Sequence, residues 1–140
     1  MTVIAIKGGI MAADSAVWQG NIIVAHTRKI QRLKDVRLFG GTGESAVVRA
    51  CALWLDGLAD KPEAQKDGEF HGLFLGPDGI ERIDYRFTVF SSSNQEWAVT
   101  GAHEEFMAGA LLMGASAEHA VKLAIERGDS AGGEVQVERL

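Results

Sequence analysis

One cysteine, Cys51, is all the thiol this 140-residue chain contains. A disulfide within the chain is therefore excluded, and a reducing compartment, the cytoplasm, is the expected setting. His26, His71, His103 and His119 share no metal-ligand spacing with one another or with Cys51, so no zinc site is expected, and nothing implies a cofactor. The chain lacks a charged-then-apolar leader and any apolar run long enough to span a bilayer, which argues against a membrane location. Basic excess is missing too. The net charge of −5 argues against nonspecific nucleic-acid binding. Arg28, Lys29, Arg32, Lys34 and Arg37 are interleaved with apolar residues, as in a strand with solvated edges rather than a basic arm. There is no Gly-Lys-Ser/Thr after the glycines at 40–43, which excludes a phosphate-binding P-loop, and no Gly-x-Ser-x-Gly elbow. Repeats, linkers and low-complexity tracts are absent. With 46% hydrophobic and 24% charged residues, the composition suits one globular domain over residues 1–140.

What is present begins at Thr2. A free N-terminal threonine joins nucleophile and base in one residue: its hydroxyl attacks a carbonyl while its own α-amine, with a reference pKa of about 7.7–8.0, takes the proton. That chemistry requires removal of Met1, which a small second residue favours. Residues Thr2 to Ser15 read as two strands joined by a tight Gly8-Gly9 turn, because both arms are apolar and rich in β-branched residues. Such a hairpin folds Asp14 back beside Thr2. After Gly20-Asn21, an extended segment at Ile22–Ala25 and an alternating one at Lys29–Leu33 follow, and the second aims the Lys29 ammonium at Thr2 and Asp14. A cation held there by a carboxylate lowers the pKa of a neighbouring amine and hydroxyl.

Downstream, Gly40-Gly-Thr-Gly43 forms a turn before a helix expected over Ser45–Leu58, with Val47, Ala50, Cys51, Trp54, Leu55 and Leu58 on its apolar face. Cys51 on that face reads as a buried thiol. A glycine turn at a helix N-terminus lets backbone N–H groups approach developing negative charge. His71–Leu75 and Ile80–Phe87 read as strands around Gly76-Pro-Asp-Gly79. Ser91-Ser-Ser-Asn94 reads as a polar loop before a strand at Glu96–Val99. Two helices are expected next, Glu104–Met113 and one capped by Ser116 and stopped at Gly128, then a last strand at Glu134–Leu140. This order fits helices packed outside two sheets.

Taken in sequence, the segments Thr2-Val-Ile-Ala-Ile6, Gly9-Ile-Met-Ala-Ala-Asp-Ser15, Gly20-Asn21, Arg28-Lys-Ile30, Gly40-Gly-Thr-Gly-Glu44, Gly114-Ala-Ser-Ala-Glu-His-Ala-Val121 and Gly132-Gly-Glu-Val-Gln-Val137 resemble a proteasome β-type subunit. The style is closest to the bacterial peptidase HslV and its short bacterial or phage-encoded relatives. The resemblance runs nearly end to end. It implies an α+β fold, the four-layer αββα sandwich of N-terminal-nucleophile hydrolases. It further implies that Thr2 attacks, Asp14 and Lys29 form the supporting charge pair, and the Gly43 N–H helps build an oxyanion hole. The first substrate pocket falls on Val17, Thr27, Gln31, Gly41 and Ser45, a set without charge. The family's substrates are peptides or unfolded proteins; its members form closed homo-oligomeric rings, and many work with an ATP-driven unfoldase.

The chain departs from the family at Gly101-Ala102-His103, where Gly-Ser-Gly is usual, and at Gly128 and Ala131, where an Asp and a Ser or Thr are usual. Asp129 and Ser130 stand one position off and would substitute in a shorter loop. His103 falls next to the missing serine. Besides a threonine peptidase, the sequence therefore leaves open a weakened or inactive subunit kept for assembly or as a virion component, and a small-molecule amide hydrolase.

Overall fold

The computed structural model describes residues 1–92 and 95–140; Ser93 and Asn94, half of the expected polar loop, lie outside the described residues. Glycines at both turn positions, Gly8 and Gly9 at φ +62° and +73°, close β1 (Val3–Lys7) onto β2 (Ile10–Ala13), with Lys7 opposite Ile10 and Ile4 opposite Ala13. A second hairpin, β3 (Ala16–Gln19) with β4 (Ile22–His26), stands apart as a two-stranded sheet. The remaining elements are β5 (Ile30–Arg32), β6 (Leu38–Thr42), α1 (Ser45–Leu55), β7 (His71–Gly76), β8 (Gly79–Ile83), β9 (Val89–Ser91), β10 (Trp97–Gly101), α2 (Glu104–Leu112), α3 (Ala117–Arg127) and β11 (Gln136–Arg139).

Two antiparallel sheets organise the molecule, one in the order β10-β1-β2-β11 and one in the order β5-β6-β7-β8-β9. Alternation along β1 shows how they stack. Val3 and Ala5 face α2 and α3, joining Met107, Leu111, Ala120, Val121 and Ala124. Ile4 and Ile6 face the other sheet, meeting Ile30, Leu38, Leu73, Leu75 and Ile80. In β6 and β7 the same period sends Leu38 and Leu73 inward, and sends Phe39 and Phe74 out to Cys51 and Ala52 of α1. Three apolar seams thus separate four layers: α2 and α3, sheet, sheet, α1. Strands buried on both faces explain why β1 reads as a continuous apolar run.

Two element ends and the basic run depart most from the sequence reading. Helix α1 stops at Leu55 because Asp56 N–H and Gly57 N–H fold back onto Ala52 O and Trp54 O, with Gly57 at φ +72°, so Leu58 lies exposed. The strand expected to reach Phe87 ends at Ile83: Asp84 Oδ1 accepts from Arg86 N (2.9 Å) and Thr88 N (3.0 Å), forming a turn that delivers buried Phe87. In the basic run, Arg28 and Arg32 pair with Glu138, whereas Lys29 is withdrawn from solvent. Helix α3 follows its signals, with Ser116 Oγ accepting from His119 N and Gly128 at φ +80°. Among the described residues no helix is long and apolar enough to cross a membrane.

Candidate active site

Hairpin β1–β2 delivers Asp14 to the start of β1, where Asp14 N–H donates to Val3 O. Its carboxylate is fully buried. Oδ1 accepts from Val3 N (3.1 Å) and Lys29 Nζ (2.9 Å), and Oδ2 accepts from Gly132 N (3.2 Å). Both carboxylate oxygens thus meet donors, the condition for burying the charge. Lys29 sits just before β5 with a side chain only 8% exposed. Burial pushes its pKa below the ordinary lysine value, against the opposing pull of Asp14.

The residue that aligns these segments is Gln136, which sequence reasoning missed. Its Oε1 accepts from Lys29 N (2.8 Å) and Ile30 N (3.3 Å), while its Nε2 donates to Asp14 O (3.0 Å) and Thr27 O (2.7 Å). A glutamine in an otherwise alternating strand was the available signal.

Thr2 is held by its carbonyl, which accepts from Ala102 N (2.9 Å). Gly101, at φ +101°, makes this possible, because a Cβ there would run into that same carbonyl oxygen. Lys29 Nζ also donates to Met1 O (3.1 Å), so the ammonium bridges Asp14 and the Met1–Thr2 peptide. The Met1 amine has a lowered pKa, first from burial and then from Lys29, with Asp14 opposing.

All of this opens on a cleft of about 1040 Å³ lined by Thr2, Lys29 and Gly43. Gly43 has φ +125°, and a Cβ there would collide with Glu69 O. Among the described residues nothing accepts from the Gly43 N–H. The expected substrate residues Val17, Thr27, Gln31, Gly41 and Ser45 all line the same cleft. Asp14 lies beneath it. One face of α1, running Ser45, Val48, Arg49, Ala52, Asp56, forms a wall. The expectation of an uncharged cleft, drawn from the five residues alone, is therefore corrected: Arg49 comes from that helix, Asp56 from its C-terminal cap, and Glu69 from the 57–70 segment. Trp18, whose indole N–H is buried without a partner among the described residues, is another wall residue the sequence did not flag.

Ala102 lines the cleft with a methyl group. Asp129 and Ser130 do not compensate there. Asp129 turns instead toward His103, placing Oδ1 2.7 Å from Nε2 in a close electrostatic contact that is off the hydrogen-bond axis. His103 itself is left-handed, at φ 60° and ψ 26°.

No family model matches this chain, and no curated protein does so by sequence. Solved structures do match. Thiobacillus denitrificans BPH in complex with epoxomicin has a TM-score of 0.74 at 19% identity, with 99% of this chain and 97% of that chain covered. Thiobacillus denitrificans BPH alone gives 0.69 at 21%, covering 99% and 96%. Eukaryotic HslV from Trypanosoma brucei gives 0.74 at 16%, covering 99% and 98%. Near-complete coverage of both chains leaves no layer unmatched. The chain therefore has the HslV-like, proteasome β-type fold, the four-layer αββα sandwich of the N-terminal-nucleophile hydrolases.

Proposed function

We propose that this chain is a proteasome-like threonine peptidase whose nucleophile is Thr2, exposed by removal of Met1. One observation carries the reading: a lysine braced by a buried aspartate reaches the Met1–Thr2 junction on the floor of a cleft that also presents the Gly43 N–H, unpartnered among the described residues. In the proposed reaction the freed α-amine takes the hydroxyl proton as Thr2 Oγ1 attacks the substrate carbonyl carbon. The oxyanion forms against the Gly43 N–H and the N-terminal end of α1. The protonated amine then gives its proton to the departing amine, leaving an ester on Thr2, and water activated by the same amine hydrolyses that ester. Lys29 keeps the amine unprotonated and stabilises the incipient alkoxide; Asp14 keeps Lys29 in place.

The substrates are peptides or unfolded chains, and the assembly is a homo-oligomeric ring, with an unfoldase as a further partner. Strand β4 supports the assembly: Ile22, Ile23 and Val24 are exposed on a free sheet edge, an apolar surface suited to a repeating heterologous contact. Ala102 favours a second reading, a subunit with weakened chemistry kept for assembly. The experiment is N-terminal mass analysis followed by fluorogenic peptide hydrolysis by processed wild type, Thr2→Ala and Ala102→Ser. We expect Thr2→Ala to be inactive and Ala102→Ser to be faster than wild type, since a positioned proton-transfer group is worth about 10²–10⁴-fold. Equal hydrolysis by processed wild type and Thr2→Ala would remove the activity from Thr2 and leave the assembly reading. Light scattering at micromolar concentration tests the ring; a monomer would exclude it.

A further inference from the structure

Two backbone segments hold the site from opposite sides. Residues 101–102 secure Thr2 through the Ala102 N–H, and residues 131–133 secure Asp14 through the Gly132 N–H, while Gly132 O accepts from Ser15 N and Ala16 N. No strand ladder joins them, because β10 and β11 occupy opposite edges of their sheet, separated by β1 and β2. Among the described residues, beyond the apolar packing that includes Ala102, Ala131, α2 and α3, the polar contact joining their flanks is His103 Nε2 to Asp129 Oδ1 at 2.7 Å.

We infer that His103 and Asp129 form a positioning pair, fixing the Thr2 segment relative to the Asp14 segment where the hydroxyl at position 102 is missing. The inference rests on the threonine-peptidase reading. The backbone argues for it first. His103 occupies the left-handed region that glycine adopts without cost, and such strain persists where the surrounding structure enforces it. Helix capping does not explain the histidine, because its side chain makes no cap hydrogen bond to α2. Its ring is 14% exposed and lies at a hollow shared with Glu104, Glu105, Phe106 and Arg127. Arg127 is stacked on Phe106, with its guanidinium 5.0 Å from the ring centre. Asp129 is the carboxylate that approaches Nε2, off the hydrogen-bond axis.

The test uses the full chain with Met1 removed, comparing His103→Gly, His103→Gln, Asp129→Asn and the double variant His103→Gly/Asp129→Asn. His103→Gly should leave the melting temperature unchanged or higher, because the strain is relieved, yet lower kcat about 10–10²-fold with KM little altered, since small misplacements of reacting groups cost up to about that much. The double variant should be no slower than the slower single variant, because both break one contact. His103→Gln, whose amide N–H reaches for the same carboxylate, should retain more activity than His103→Gly. Full kcat in His103→Gly, or multiplying losses in the double variant, would overturn the pair. Amide hydrogen exchange gives a readout independent of turnover: His103→Gly should speed exchange at Ala102 and Gly132 about tenfold, and unchanged protection at both would overturn the pair. Absence of Thr2-dependent turnover in wild type would instead overturn the peptidase reading alone.

Discussion

Separating the Asp14–Lys29 pair should cost far more than losing an ordinary surface ion pair. The Asp14 carboxylate is fully buried and the Lys29 side chain is 8% exposed, so removing one partner strands the other away from water. Breaking a buried pair in this way costs about 3–5 kcal/mol. Asp14→Ala would also orphan the Val3 and Gly132 N–H groups, each worth about 1–3 kcal/mol, which together approaches the whole stability of a typical domain. The informative experiment is therefore a milder cycle of Asp14→Asn, Lys29→Met and the double variant, followed by urea unfolding near neutral pH. Asp14→Asn leaves a lysine cation facing an amide and should cost about 3–5 kcal/mol. Lys29→Met leaves a carboxylate that still accepts from two backbone donors and should cost less. The double variant should be more stable than Asp14→Asn, giving a coupling of about 2–4 kcal/mol, against about 0.2–1 kcal/mol for exposed pairs. A coupling within the exposed range would mean that Lys29 samples solvent, and the proposed support of Thr2 would fail with it.

Because burial lowers the Lys29 pKa, the unfolded chain holds that proton more tightly than the folded one; stability should rise with pH between the lowered value and the ordinary lysine range, and Lys29→Met should abolish that rise in urea midpoints. Gly43→Ala forces a Cβ against Glu69 O at φ +125° and tilts the free N–H, so kcat should fall about 10²–10³-fold, with KM changing less; an unaffected kcat would remove Gly43 from the mechanism. Gln136→Leu leaves the Lys29 and Asp14 main chains without their shared partner and should cost about 2–4 kcal/mol in urea unfolding; a cost under about 1 kcal/mol would show that water replaces the amide. Val17, Thr27, Gln31, Gly41 and Ser45 predict cleavage after medium or large neutral side chains. A fluorogenic panel with strong preference for acidic or basic residues would instead give Arg49 or Glu69 control of the cleft.

The parts legible in the sequence were those whose signals are local. Gly8-Gly9 between β-branched arms fixed the first hairpin and hence the place of Asp14, and Ser116 with Gly128 bracketed α3. Alternation over 29–33 aimed Lys29 at Asp14 before its partners were known, although the strand itself begins only at Ile30. The features missed depend on partners distant in sequence. Gln136 meets Lys29 across 107 residues, and the Glu69 oxygen that forces glycine at 43 comes from a segment with no regular structure. Periodicity reports which face is covered, not which polar atom covers it. The same limit applied to Asp129: counting positions from Gly132 suggested a stand-in on the Thr2 side, whereas Gly128 at φ +80° ends α3 and the carboxylate pairs with His103.

The sheet order has a consequence for how the molecule comes into being. Strand β1 pairs with β10, and β2 pairs with β11, so the β1–β2 hairpin must wait for partners roughly a hundred residues later. Such distant pairings make folding slow, because the intervening chain loses its freedom before the contacts form. Under the proposed mechanism the order also sets when chemistry becomes available. A nascent chain already carrying Thr2, Asp14 and Lys29 still lacks the Ala102 N–H that seats the threonine and the Gly132 N–H that seats the aspartate. The proposed Thr2 nucleophile would stay unassembled until residues near 132–139 arrive, so the topology itself would act as a delay between synthesis and competence.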